Sequence, residues 1–203
     1  RSLARQAGLG WIGKNTCLIN QQQGSWFFLG ELLLSLDLAP DPPPPGRCGT
    51  CTRCIDACPT HAIIPDGNGQ FQLDARRCIS YFTIELKGDV PQEHREAIGT
   101  HVFGCDICQD VCPWNRRAPS TTDPAFEPRQ GRVAPELETL LYPDSKSFRQ
   151  EFIGSPVLRP GYRGFLRNVA IAMGNSADTR FREPLERLAA SDDPIEKLRL
   201  HTE

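Results

Sequence analysis

Long apolar runs are missing from this chain. None approaches the roughly 18 residues that a membrane-spanning helix needs, so no helical span and no membrane association are expected. An excess of charge of one sign is missing too. Lys and Arg number 23 against 25 Asp and Glu, and this balance gives no global argument for nucleic acid or an anionic surface. No basic stretch leading into an apolar core opens the chain, so no secretory signal is expected and the protein is read as cytoplasmic. Hydrophobic residues make up 39% and proline occurs 18 times, which suits a compact but loop-rich protein. The 203 residues allow one domain of ordinary size or two small ones. Two details suggest part of a longer protein: the first residue is Arg1, and the pattern from Pro194 to Glu203 begins a helix without a closing cap.

Cysteine, by contrast, is abundant at nine residues. An odd count in tight repeated spacings, without a secretory signal, argues for metal or cluster binding in a reducing compartment and against disulfides. The first block reads Cys48-x2-Cys51-x2-Cys54-x3-Cys58-Pro59. This is the bacterial ferredoxin run, in which three closely spaced thiolates grip one 4Fe–4S cube and the fourth serves the other cluster. The second block, Cys105-x2-Cys108-x3-Cys112-Pro113, has the same end but carries Val102 where a further cysteine would stand. Cys78 lies between the blocks and is the economical replacement; Cys17 is the other candidate. The crossed pattern gives cluster one Cys48, Cys51, Cys54 and Cys112, and cluster two Cys58, Cys78, Cys105 and Cys108. Zinc is the competing reading, but four-cysteine zinc sites use two separated pairs. Cys17 sits in an apolar run and reads as a core cysteine. His61, His94, His101 and His201 stand in polar surroundings and read as surface residues.

The fold class expected is α+β, in three parts. Residues 1–45 read as the end of an α/β region. Leu3–Ala7 is a helix tail closed by Gly8 and Gly10, Cys17–Asn20 and Ser25–Leu34 are strand-like, and Gln21–Gly24 is a hairpin connection. Pro40–Gly46, with four consecutive prolines, is a stiff linker. Residues 46–118 form a ferredoxin-like module with two clusters, with a helix expected over Gln92–Ile98. Residues 119–203 lack cysteine and carry helical patterns at Ala134–Tyr142, Lys146–Phe152, Gly164–Met173 and Arg182–Ala190, the last two suggesting a small HEAT-like helical repeat.

Two clusters with crossed ligands form an electron wire, and the bland reading is a ferredoxin-type electron-transfer module. Four stretches favour an enzyme: Ala7-Gly-Leu-Gly-Trp-Ile-Gly-Lys-Asn15, Gly24-Ser-Trp-Phe-Phe-Leu-Gly-Glu-Leu-Leu33, Asp74-Ala-Arg-Arg-Cys-Ile-Ser-Tyr-Phe-Thr-Ile-Glu85 and Gly104-Cys-Asp-Ile-Cys-Gln-Asp-Val-Cys-Pro-Trp-Asn115. Together they closely resemble epoxyqueuosine reductase, and Leu166-Arg-Asn-Val-Ala-Ile-Ala-Met-Gly-Asn175 resembles that family's helical region. The resemblance implies reduction of epoxyqueuosine to queuosine in the tRNA anticodon loop, with electrons passing through two 4Fe–4S clusters to cobalamin. It also implies a low-potential donor such as ferredoxin or flavodoxin, and a monomer. The distantly related reductive dehalogenases are the enzymatic alternative.

The resemblance further implies cobalamin-domain residues at 1–45 and a tRNA-contacting helical region at 119–203. Thr16, Phe27, Ser80, Tyr81 and Asp106 are the candidate cobalamin contacts, since Ser80 and Tyr81 follow Cys78 and Asp106 follows Cys105. The family's general-acid aspartate lies in a segment upstream of Arg1, so no catalytic residue is assigned and this stretch alone is expected not to turn over. Between Lys146 and Arg182 seven basic residues face two acidic ones, a local balance of +5. A patch of that kind can bind RNA phosphate, with Arg163 and Arg167 on one helical face.

Overall fold

The computed structural model describes residues 1–129 and 131–190, and Pro194–Glu203 and His201 lie outside them. In chain order the regular elements are α1 (Ser2–Gln6), β1 (Trp11–Ile12), β2 (Leu18–Ile19), α2 (Arg53–Asp56), β3 (Ile63–Pro65) and β4 (Phe71–Leu73). One π-helical turn (Tyr81–Glu85) follows, then α3 (Gln92–Ile98), α4 (Ile107–Asp110), α5 (Ser145–Glu151), α6 (Gly161–Asn175) and α7 (Arg182–Ala190). Short 3₁₀ turns connect them. Helix and strand are thus mixed, and no described helix is long and apolar enough to cross a membrane.

The described residues form two compact units, one of residues 1–75 with 106–126, the other of residues 76–105 with 127–129 and 131–190. In the first, β1 pairs antiparallel with β2, placing Trp11 opposite Ile19. Gly10 is obligatory beside this pair, because a Cβ there would lie 2.2 Å from the Ile19 carbonyl oxygen. Asn20 turns the chain after β2, its side-chain oxygen accepting from the amides of Gln22 and Gln23. The expected strand over Ser25–Leu34 does not form. A strand needs a partner edge for its N–H and C=O groups, and none of the described strands pairs with this segment. Phe28, Leu32 and Leu33 are almost fully exposed.

In the second unit α6 is the organising helix. Phe165, Leu166, Val169, Ile171 and Met173 are buried along it, each contributing about 1.5–3 kcal/mol on full burial. Its aromatic side meets Phe148 at 5.0 Å and Phe152 at 5.4 Å between ring centroids. Its polar side holds residues 79–104. Asn168 donates to the carbonyls of Thr83 and Val102 at 2.8 and 2.9 Å. Asn175 donates to those of Arg95 and Gly99 at 2.7 and 2.9 Å. Arg167 is 3% exposed and donates to the carbonyls of Phe82, Leu86 and Gly88. Arg163 and Arg167 therefore do not share an RNA-facing surface: Arg163 is exposed and Arg167 is a core residue. The rest of the expected helices form, except that Ala134–Tyr142 condenses to a 3₁₀ turn at Leu137–Leu140.

Thr83 is fully buried and sits inside the π-helical turn that follows Cys78. Its hydroxyl donates to the Ile79 carbonyl at 2.8 Å and accepts from the Gly104 amide at 2.9 Å. It thereby ties the segment after Cys78 to the residue before Cys105. Thr83→Val keeps the shape and orphans the Gly104 amide, at an expected cost of about 1–3 kcal/mol, measured by chemical denaturation.

Candidate metal centre

The two cysteine blocks fold alike. In the first, the amides of Asp56, Ala57 and Cys58 donate to the carbonyls of Thr52, Arg53 and Ile55. In the second, those of Asp110, Val111 and Cys112 donate to Asp106, Ile107 and Gln109. Aligning the blocks on Cys-Pro thus superposes hydrogen bond on hydrogen bond. The helical turns α2 and α4 pack together within the first unit.

Cys48, Cys51, Cys54 and Cys112 line one cavity of about 230 Å³, together with Lys14, Asn15, Ile19, Arg47, Arg53, Pro113 and Trp114. Among the described residues no three Cys, His, Asp or Glu side chains converge tightly enough for a single ion. A zinc ion pulls four sulfurs to about 2.3 Å from one point. Four thiols spread around a space many times that of one water fit a multi-atom cluster instead. Burial, reinforced by the thiolates of Cys108, Cys48 and Cys112, pushes the Cys54 thiol up to about 11. Burial also raises that of Cys112, against donors at Trp114 and Asn115. Four negative sulfurs are unfavourable here until iron supplies the opposing charge.

Side chains that spacing alone did not single out hold this pocket. Lys14 Nζ donates to the carbonyls of Gly49 and Cys51 at 2.8 and 3.0 Å, and lies 5.4 Å from the centroid of Phe71. Asn15, 4% exposed, donates to the Cys108 carbonyl and accepts from the Cys17 amide. Asn115 accepts from the Ser25 amide at 2.7 Å and donates to the Gln109 carbonyl at 2.8 Å. Trp11 and Trp114 meet edge to face at 4.9 Å beside Cys48 and Cys112. Lys14 and Asn15 fall within the Gly-Leu-Gly-Trp-Ile-Gly-Lys-Asn stretch, the only sequence signal that marked them. Lys14→Met removes both donors from the Cys48–Cys51 loop. The cluster-loaded chain should then lose visible absorbance to an iron chelator several-fold faster under argon.

Of the other four thiols, Cys58 and Cys108 belong to the first unit and Cys78 and Cys105 to the second. Cys58 Sγ accepts from the Ala62 amide at 3.3 Å. Ser80 Oγ donates to the Cys105 carbonyl at 3.2 Å. Cys17 departs from the sequence reading: it is only half-buried, and its thiol meets that of Cys108, not an apolar core. The interaction between the two thiols lowers Cys17 and raises Cys108.

Thr16 adopts a positive φ of 61°, and its hydroxyl accepts from Arg1 at 3.2 Å. Phe27 and Tyr81 are half-buried. Asp106 stands at the head of α4 and accepts from the Gln109 side chain at 3.4 Å. Two histidines depart from the surface reading: His94 is half-buried against Phe82 at 5.3 Å, and His101 Nδ1 pairs with the Ile98 carbonyl oxygen at 2.8 Å. Lys146, Arg149, Arg163 and Arg182 are exposed, whereas Arg159 pairs with Glu85 and Arg180 with Asp178.

These features define a double-cluster iron–sulfur protein, and residues 47–115 match the family described as a 4Fe-4S double cluster binding domain. An epoxyqueuosine reductase of Xanthomonas campestris is 51% identical over 176 residues, 87% of this chain and 48% of the relative. That of Pseudomonas aeruginosa is 47% identical over 205 residues, 100% of this chain and 55% of the relative. Among solved structures, an epoxyqueuosine reductase with an epoxyqueuosine-modified tRNA stem loop matches with a TM-score of 0.86 and 34% identity, over 97% of this chain and 51% of the other. The enzyme of Streptococcus thermophilus matches with a TM-score of 0.80 and 38% identity over the same shares. The chain belongs to the epoxyqueuosine reductase family and spans about half the length of the relatives it matches.

Proposed function

We propose that this chain is the electron-transferring portion of an oxidoreductase that converts epoxyqueuosine to queuosine in the tRNA anticodon loop. The observation that carries the reading is the agreement, along 97% of the chain, with an enzyme solved on an epoxyqueuosine-modified tRNA stem loop. Cluster one is held by Cys48, Cys51, Cys54 and Cys112, and cluster two by Cys58, Cys78, Cys105 and Cys108. Cobalamin, when bound, supplies the strong reductant that opens the epoxide. Thr16, Phe27, Ser80, Tyr81 and Asp106 are its proposed contacts, with residues 1–45 the end of its domain and 46–118 the ferredoxin-like module. Residues 119–203 form the HEAT-like region that receives tRNA, through the exposed Lys146, Arg149, Arg163 and Arg182 in place of the buried Arg167. The protein works as a cytoplasmic monomer, fed by a low-potential ferredoxin or flavodoxin.

The test uses the whole gene product that contains these residues, loaded without oxygen with iron, sulfide and cobalamin. Queuosine should form from epoxyqueuosine-bearing tRNA when reduced flavodoxin is supplied. Failure to bind cobalamin, or cobalamin binding without salt-dependent tRNA affinity, would contradict the reading.

A further inference from the structure

Cluster one's cavity has a neighbour. A second cavity of about 340 Å³ is lined by Arg5, Trp11, Lys14, Cys48, Gln70 and Phe71 among others. Cys48 and Lys14 line both. Between them the two cavities carry four cations, Arg5, Lys14, Arg47 and Arg53, and no carboxylate. Lys14 is spent on the loop carbonyls, but Arg5, Arg47 and Arg53 are exposed. The whole chain has a formal net charge of −2, so this local excess runs against the overall balance. The surface is also bare. Gly46, Gly49 and Gly69 line the second cavity or its rim, and a Cβ at any of them would meet nothing within 4 Å.

From these observations we infer that the face around Cys48, bounded by Arg5, Arg47, Arg53 and Phe71, docks an acidic protein carrying a one-electron, low-potential centre. The inference rests on the proposal that the clusters pass electrons to a reducing site, and it places their entry at cluster one. Charge complementarity selects the partner: fixed cations around an electron acceptor steer an acidic carrier and speed encounter. The glycine surface lets that carrier approach the Cys48 loop without side chains between. In the step itself the carrier loses one electron and cluster one gains it; no bond forms or breaks. An RNA partner is less well matched, because a phosphate backbone has no use for proximity to a redox thiolate.

The experiment follows reduction of the whole gene product that contains these residues, loaded with clusters, by reduced flavodoxin in stopped flow, with neither cobalamin nor tRNA present. Its outcome is therefore independent of whether the epoxide is the substrate. The second-order rate should fall as salt rises. In the variant Arg5→Glu it should drop about threefold at low salt and lose part of its salt dependence. Arg5→Lys should keep the parent rate. Iron content and photoreduction by a neutral deazaflavin should match the parent, which separates lost docking from a damaged cluster. An unchanged flavodoxin rate, an equal loss with both reductants, or loss of tRNA stem-loop binding with the flavodoxin rate intact would overturn the inference.

Discussion

Cys78→Ala is expected to leave about four irons on a chain that otherwise carries about eight. The reason lies at position 102. A symmetric two-cluster ferredoxin would have its fourth ligand there, but Val102 packs with the Phe148–Phe165 core and its carbonyl is held by Asn168. Residue 102 is a half-buried packing position without a thiol, so the eighth thiolate must come from elsewhere. Cys78 stands at the head of the helical segment that Thr83 fastens to Gly104, next to the proposed ligand Cys105. The alternative is Cys17, whose thiol meets that of Cys108. The paired variant Cys17→Ala resolves the choice, since it should keep about eight irons. Electron paramagnetic resonance of reduced Cys78→Ala should show one isolated cluster without the broadening of two coupled spins. If Cys78→Ala keeps both clusters and Cys17→Ala loses one, the fourth ligand is Cys17.

Arg167→Met should destabilise the metal-free chain by about 3–5 kcal/mol. The guanidinium satisfies the carbonyls of Phe82, Leu86 and Gly88 and the Asn168 side-chain oxygen, three of them around the π-helical turn. Methionine fills much of the volume and donates nothing, so several buried acceptors are left without partners. At about 2–4 °C per kcal/mol for a chain of this size, the melting temperature should fall by roughly 10 °C. Arg167→Lys is the discriminating companion. A lysine keeps the charge, so a phosphate-binding residue would tolerate it. A point charge cannot serve several carbonyls that a planar fork reaches, so Arg167→Lys should also melt early while its affinity for a tRNA stem loop is unchanged.

The cysteine spacing, read as a ferredoxin run, placed four thiols around one cavity and made the two blocks superposable, because thiolate spacing and Cys-Pro turns are local. Gln92–Ile98 and Arg182–Ala190 were legible for the same reason: their periodicity is written in neighbouring residues. Arg167 was not. Its arginine reads as surface in any hydropathy pattern, and the carbonyls that bury it lie some eighty positions earlier. Ser25–Leu34 failed in the opposite direction. Its residues suit a strand, but a strand exists only where another edge accepts it. Lys14, Asn15 and Asn115 were hidden because single polar side chains that brace a loop carry no period and no spacing, only contacts. Cys17 was misread as core because its neighbour Cys108 is ninety-one residues away in sequence.

The central claim is that this chain holds two 4Fe–4S clusters on eight of its nine cysteines. Iron and acid-labile sulfide, counted on the anaerobically reconstituted chain, test it most directly. About eight of each per chain is the predicted result. Four or fewer irons, or zinc retained in their place, would contradict it.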